Sequence, residues 1–155
     1  MNVRPKILIV DDTASNRLSL RKILKEVEAD LDEADNGFDA LSLTLTNNYA
    51  LILLDGFMPD MDGFEVCEQL RNNPQTEKTP VIFITEAYKN VEDNIRGYVA
   101  GATDYLTKPV NEHILKAKVQ VFLQLFKQQA ALQQALSVKS QFLASMSHEI
   151  RTPMN

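Results

Sequence analysis

The sequence predicts an open α/β domain, a parallel sheet covered by helices on both faces, followed by one long helix. Three observations carry this. The runs Ile7–Val10, Ala50–Leu54 and Val81–Ile84 are too short for helices and too uniformly apolar for half-exposed strands. They read as strands buried on both faces. Segments with helical spacing alternate with them, a rhythm that implies right-handed crossovers and parallel strands. From Asn111 to Arg151 there is neither Gly nor Pro, so the chain should continue as one helix roughly 60 Å long at 1.5 Å per residue.

The elements follow in order. Ile7–Val10 is the first strand and ends in Asp11-Asp12. A helix to about Val27 comes next, with Leu18, Ile23, Leu24 and Val27 at helical spacing. Leu31 to Ala34 is a weak strand, and Asn36-Gly37 turns into a helix with Phe38, Leu41 and Leu45 on one face. The central strand delivers Asp55, and Pro59 and Gly63 punctuate the loop after it. A helix from Phe64 to Arg71 buries Phe64, Cys67 and Leu70 and stops at Asn72-Asn73-Pro74. Val81–Ile84 ends in Thr85. A helix over Val91–Ala100 stops at Gly101, and the last strand, Asp104 to Leu106, leads to Thr107-Lys108-Pro109.

In the terminal helix, heptads place Leu115, Phe122, Gln129, Leu136, Leu143 and Ile150 at a. Lys118, Leu125, Leu132, Lys139 and Met146 fall at d, so eight of these eleven are apolar. A stripe this long predicts pairing with a partner chain as a parallel coiled-coil homodimer.

Composition narrows the function. The chain has 155 residues, 45% apolar, enough for one ordinary domain and an appendage. Residues 1–110 hold 19 acids and 11 Lys+Arg, a net −8; residues 111–155 hold two and five, a net +3. An acidic body argues against nonspecific nucleic-acid binding and suits a cation. A single cysteine, Cys67, excludes an internal disulfide and fits a reducing compartment. No apolar run reaches the ~20 residues of a membrane span, so a cytoplasmic chain without membrane contact is expected.

Strand ends hold the chemistry. Asp11, Asp12 and Asp55 leave two strands that a doubly wound sheet makes neighbours, at the edge where such sheets bind ligands. A single strand-ending Asp would only cap a turn. Three together repel one another unless a cation sits among them, and oxygen-only ligands favour Mg²⁺. Thr85 and Lys108 offer a hydroxyl and a cation from two further strand ends, suited to phosphoryl oxygens while an aspartate acts as nucleophile.

Residues 6–110 resemble the two-component receiver (response-regulator) domain. The likeness rests on Asp11-Asp12, Asp55, Met58-Pro59-Asp60-Met61-Asp62-Gly63, Thr85, and the run from Gly101-Ala102 through Asp104-Tyr105-Leu106 to Lys108-Pro109. It implies a flavodoxin-like five-stranded parallel sheet, (βα)5, of order 2-1-3-4-5. It implies Asp55 as phosphoacceptor from a phosphohistidine donor protein or kinase domain. Mg²⁺ is expected on Asp12, Asp55 and the backbone carbonyl of Phe57, with Asp11 acting through water. Lys108 would pair with the phosphoryl group, Thr85 would reach toward it, Tyr105 would be the switch aromatic, and Pro109 would follow a cis bond. Glu86 departs from the family, which usually has a small residue after the threonine; an acid there would repel the incoming group or point away. Phe57 is expected to shield a long-lived phosphoaspartate. A poorly phosphorylated receiver acting as a dimerisation scaffold is the alternative. An aspartyl-phosphate phosphatase is disfavoured, since no acid lies two residues after Asp11, Asp12 or Asp55.

Residues Phe142 to Asn155 resemble the H-box that opens the histidine-kinase dimerisation domain. His148 falls at heptad position f, facing away from the seam, and the likeness implies a phosphoacceptor histidine with Glu149 taking the ring proton. Pro153 removes a helical bond to the Glu149 carbonyl and should bend the helix there. Three segments are expected: a receiver over 1–110, a helical linker over 111–140, and the start of a kinase dimerisation helix over 141–155. These suggest the front of a hybrid histidine kinase. With five glycines and no Gly-rich phosphate loop, this stretch alone should not act as a kinase.

Overall fold

A computed structural model describes residues 4–86, 96 and 100–151, with side chains as far as Ser147. Five parallel strands form one sheet: β1 (Lys6–Val10), β2 (Asp30–Ala34), β3 (Leu51–Asp55), β4 (Val81–Glu86) and β5 (Asp104–Lys108). Their spatial order is β2-β1-β3-β4-β5, as the resemblance implies. Helices α1 (Ala14–Ile23), α2 (Gly37–Thr46) and α3 (Gly63–Asn72) follow the first three strands, and α4 (Glu112–Arg151) follows β5. The helix expected over Val91–Ala100 lies outside the described residues except for Arg96 and Ala100.

The central strands are buried because both faces are covered. Leu8, Val10, Ile52, Leu54, Val81 and Phe83 pack in one cluster with Phe64, Val66, Cys67 and Leu70 of α3. Alternate residues Ile7, Ile9, Leu51, Leu53 and Ile82 point to the other face and are equally buried. Each such side chain contributes about 1.5–3 kcal/mol through the water it leaves. Register is fixed accordingly, with Val10 opposite Leu54 and Asp55 opposite Ile84.

One helix ends earlier than its spacing predicts. Helix α1 stops at Ile23, not Val27, and Leu18 is exposed. Leu24 and Val27 remain buried, but in tight turns closed by Val27 N–H to Leu24 O and Ala29 N–H to Val27 O. Those turns let Asp30 N–H reach Pro5 O at 2.9 Å and start β2. In α2 the buried face is Gly37, Ala40 and Thr44, whereas Phe38 and Leu45 are 60% and 61% exposed. A Cβ on Gly37 would lie 2.8 Å from Val66 Cγ2 of α3, so α2 turns its small residues inward and its bulky ones out.

The compact unit Met1–Leu123 takes in the first turns of α4, where Leu115, Val119 and Leu123 are buried. Leu115 is therefore part of the receiver core and not of a free seam, which displaces the first heptad as assigned from sequence. The second unit begins at Gln124; from there to Ser147 it is helical and no residue is buried. The helix has its expected span, and no helix among the described residues is long and apolar enough to cross a membrane.

Candidate functional site

The carboxyl edge of the sheet collects the charged groups. Strand β1 hands Asp11 and Asp12 to the loop before α1, β3 ends in Asp55, β4 carries Thr85 and β5 ends in Lys108. Asp11, Asp12 and Asp55 each place one carboxylate oxygen within 4.8 Å of the others. Asp11 and Asp55 are buried and Asp12 is exposed.

Each buried acid is held. Asp11 Oδ1 accepts from Thr13 N–H at 2.9 Å and Asn16 Nδ2 at 3.3 Å, and Asp11 Oδ2 accepts from Lys108 Nζ at 3.2 Å. Arg17 Nη1 donates to the Asp11 carbonyl at 2.7 Å, tying the first helix to the same loop. Asp55 Oδ1 accepts from Phe57 N–H at 3.2 Å, and its Oδ2 lies 3.8 Å from Lys108 Nζ. The peptide bond before Pro109 is cis.

Burial pushes the Asp55 carboxyl up to about 6, with Asp11 and Asp12 adding to the rise and the Phe57 N–H and Lys108 opposing it. One lysine against three acids leaves the pocket negative. Oxygen donors with excess negative charge fit a hard divalent cation. The Thr85 hydroxyl is 1% exposed and has no hydrogen-bond partner among the described residues. A Cβ built on Gly56, the residue after Asp55, would lie 3.5 Å from Thr85 Oγ1, so this orphaned donor lies beside the loop that follows the acid. Buried donors are rarely left so, and an oxygen-bearing group entering beside Asp55 would satisfy it.

An aromatic file runs from the site into the core. Phe57, 42% exposed, meets Phe64 edge-on at 5.6 Å. Phe64 stacks on Phe83 at 4.9 Å, and Phe83 lies 6.3 Å from half-buried Tyr105. Glu86 is exposed at the end of β4, in register with Lys108.

The sheet edge thus unites Asp11, Asp12, Asp55, Thr85 and Lys108, with Tyr105 three residues before Lys108 on β5, in register with Phe83. The side chains of His148 and Glu149, and the bend expected at Pro153, lie outside the described residues. Sequence reasoning missed Asn16 and Arg17, which support Asp11, because lone polar residues at a helix start carry no distinguishing pattern. It missed Arg96, which pairs with Asp62 at 2.9 Å and covers the Phe64 ring at 4.4 Å. It treated Gly63 as a loop breaker, whereas a Cβ there would lie 2.1 Å from the Asp55 carbonyl oxygen.

Five parallel strands in this order, with acids, hydroxyl and lysine at one edge, define a phosphoryl-accepting α/β domain, and comparison with known proteins names the class. Residues 7–120 match the response regulator receiver domain, and the chain belongs to that family. It is 42% identical over 119 residues to the transcriptional regulatory protein ResD of Bacillus subtilis (strain 168), covering 76% of this chain and 48% of ResD. It is 37% identical over 145 residues to HprR of Escherichia coli (strain K12), covering 94% of this chain and 62% of that protein. The chain thus spans about half the length of the curated relatives it matches.

Among solved structures, the receiver domain of a putative Luxo repressor protein from Vibrio parahaemolyticus superposes with a TM-score of 0.76 at 29% identity. That match covers 84% of this chain and 98% of the other. The receiver domain of a signal transduction histidine kinase from Syntrophus aciditrophicus gives 0.72 at 32% identity, covering 77% and 90%. Receiver domains of two-component signalling are phosphorylated on aspartate by histidine kinases or phosphotransfer proteins, and they bind Mg²⁺ at an aspartate cluster.

Proposed function

We propose that Asp55 is the phosphoacceptor of this receiver and that the receiver serves a hybrid histidine kinase. The carrying observation is the juxtaposition at the sheet edge of three clustered carboxylates, a lysine 3.8 Å from Asp55 and a buried, unpartnered hydroxyl. A carboxyl titrating at about 6 is mostly ionised near neutral pH and so available as a nucleophile. An Asp55 oxygen attacks phosphorus, the bond from phosphorus to the donor imidazole breaks, and the imidazole nitrogen keeps the electron pair. Lys108 and the Thr85 hydroxyl donate to the phosphoryl oxygens as charge builds on them. Asp12, Asp55 and the Phe57 carbonyl are the groups for Mg²⁺, with Asp11 acting through water. When bound, the ion neutralises charge that two anions bring together.

Mass spectrometry after incubation with acetyl phosphate and Mg²⁺ tests this directly. Wild type should gain one phosphoryl group and Asp55→Asn none. A time course after removing the donor reads the shielding assigned to Phe57, with slow decay expected. Wild type that gains no phosphate sinks the reading and leaves the dimerisation scaffold, which the exposed acid Glu86 beside Lys108 favours.

The output reading rests on residues after the sheet. Of the expected segments 1–110, 111–140 and 141–155 we keep the order, a receiver, a helical linker and the start of a kinase dimerisation helix, but extend the receiver through Leu123 to take in the first turns of α4. The 14 residues around His148 and Glu149 support this, as does the likeness to a histidine kinase receiver. The names of ResD and HprR point instead to transcriptional regulators, so the kinase connection stands on the H-box residues. Phosphorylation shifts the Thr85/Tyr105 face, and α4 relays the shift to His148 in a parallel homodimer. A Gly-Gly insertion at Ala130 should uncouple phosphorylation from kinase output in a chain carrying the catalytic domain. Unchanged control after the insertion would rule out a rigid relay.

A further inference from the structure

We propose that Gln128 and Gln129 form the layer that fixes the register of the parallel α4 homodimer, each copy's glutamines pairing with the same residues of a second copy. The inference rests on the dimer reading above and adds to it which residues align the two helices.

From Leu125 onward the large apolar residues Leu125, Leu132, Leu136, Phe142, Leu143 and Met146 are all exposed. Leu125, Leu132 and Met146 fall at d, Leu136 and Leu143 at a and Phe142 at g of one heptad frame, interrupted at d by Lys139; exposed Val138 lies outside it, at c. A 3.5-residue repeat held over several turns keeps one stripe facing a supercoiling helix of the same repeat, and a second copy supplies one of matching length. Two apolar seams share the d positions Leu125, Leu132 and Met146. One adds the a positions Leu136 and Leu143; the other adds the g positions Ala135 and Phe142. Both seams turn polar at two levels: Lys139 at the shared d position, and one uncharged level where a is Gln129 and g is Gln128. Whichever seam closes, a glutamine amide enters it.

That layer has to carry the alignment. Coiled coils usually choose orientation and register with charges at e and g. Here those positions from Phe126 to Ser147 are Phe126, Gln128, Gln133, Ala135, Ser140, Phe142 and Ser147, without a single charge. The purely apolar layers tolerate a slip of one heptad. The glutamine layer does not, since a slip sets Gln129 against Leu136 or Phe122, or Gln128 against Ala135 or Val121, and leaves donor and acceptor unpaired. A carboxamide both donates and accepts, so it is complementary to its own copy across a two-fold axis. Antiparallel pairing centred on this layer would lay Leu143 against Leu115, which is already buried in the receiver core. Lys139, at d, cannot pair with its own copy, and its stem lies along the seam while its ammonium reaches water. It weakens the dimer without specifying alignment.

The test uses the full chain with Cys67→Ser, which removes the native thiol. Leu132→Cys protein mixed with Leu125→Cys protein distinguishes two disulfides, a same-site bridge for aligned helices and a 125-to-132 bridge for helices slipped by one heptad. With the glutamines present, same-site bridges should dominate. In Gln128→Leu/Gln129→Leu the slipped bridge should rise about tenfold relative to the aligned one, while the dimer becomes more heat-stable. Lys139→Leu should stabilise the dimer and leave the bridge ratio unchanged. A dimer whose ratio ignores the glutamine substitutions, or responds only to Lys139→Leu, overturns this inference and leaves the homodimer standing. A monomer by light scattering at every concentration removes both.

Discussion

Asp55→Asn is expected to melt well above wild type in chelator at about pH 8, with the gap closing as pH falls below about 4. The cause is the cost of holding a carboxylate in a buried, acid-rich pocket. Asp55 titrates near 3.8 when unfolded and at about 6 in the fold, so the folded state binds more protons between those values. Its contribution to stability is therefore fully present below 3.8 and is lost as pH rises through about 6. At 1.36 kcal/mol per pH unit the loss is at most about 3 kcal/mol. Asparagine keeps the shape and an acceptor for the Phe57 N–H but carries no charge to desolvate, so it escapes the loss. For a domain this size about 3 kcal/mol corresponds to roughly 10 °C in Tm. Mg²⁺ should raise the wild-type midpoint, because an ion that binds only the fold stabilises it by mass action. It should leave Asp55→Asn nearly unmoved. Calorimetry of both proteins across pH, with and without Mg²⁺, reads all of this. A variant less stable than wild type at the alkaline end would show that the pocket does not strain the Asp55 charge.

The sheet was legible because its signal is crude. Three runs of four or five apolar residues cannot sit anywhere but between two covered faces, and each ends in a residue with oxygen or nitrogen to offer. Asp11, Asp12, Asp55 and Thr85 follow those runs, and Lys108 follows the shorter last strand, so all five were readable as one edge from the sequence. What the spacing left open was which face is buried. In α2 it put Phe38, Leu41 and Leu45 on one face, and the buried residues are Gly37, Ala40 and Thr44, because Gly37 allows an approach to Val66 that a bulky face would block. In α4 the heptad count ran through Leu115, though that side chain belongs to the receiver. Periodicity says that a helix has an apolar face; it does not say which of two partners covers it. Residues that act by supporting others, Asn16, Arg17 and Arg96, left no pattern at all.

Gly63→Ala should be the most damaging single methyl in the receiver. An added Cβ would lie 2.1 Å from the carbonyl oxygen of Asp55, 2.9 Å from its carbon and 3.0 Å from Gly56 Cα. All three are backbone, so no side-chain rotation relieves the clash. The first turn of α3 must back away from the end of β3. That breaks the 3.0 Å bond from Gly63 N–H to Gly56 O and disturbs Phe64, which stacks on Phe83 next door. Overpacking typically costs 1–3 kcal/mol and the lost bond about 1 more, so destabilisation of about 2–4 kcal/mol is expected. Gly37→Ala is the control. Its Cβ also makes close contacts, but with the side chains of Val66 and Met61, and methionine can move aside. Alanine is moreover favoured over glycine in a helix by about 1 kcal/mol, which offsets part of the strain. Urea unfolding should therefore rank wild type above Gly37→Ala and Gly37→Ala far above Gly63→Ala. Because the strained contact is with Asp55 itself, Gly63→Ala protein that still folds should also take up phosphate from acetyl phosphate more slowly. If Gly63→Ala stays within about 1 kcal/mol of wild type, the backbone packing between β3 and α3 is looser than described.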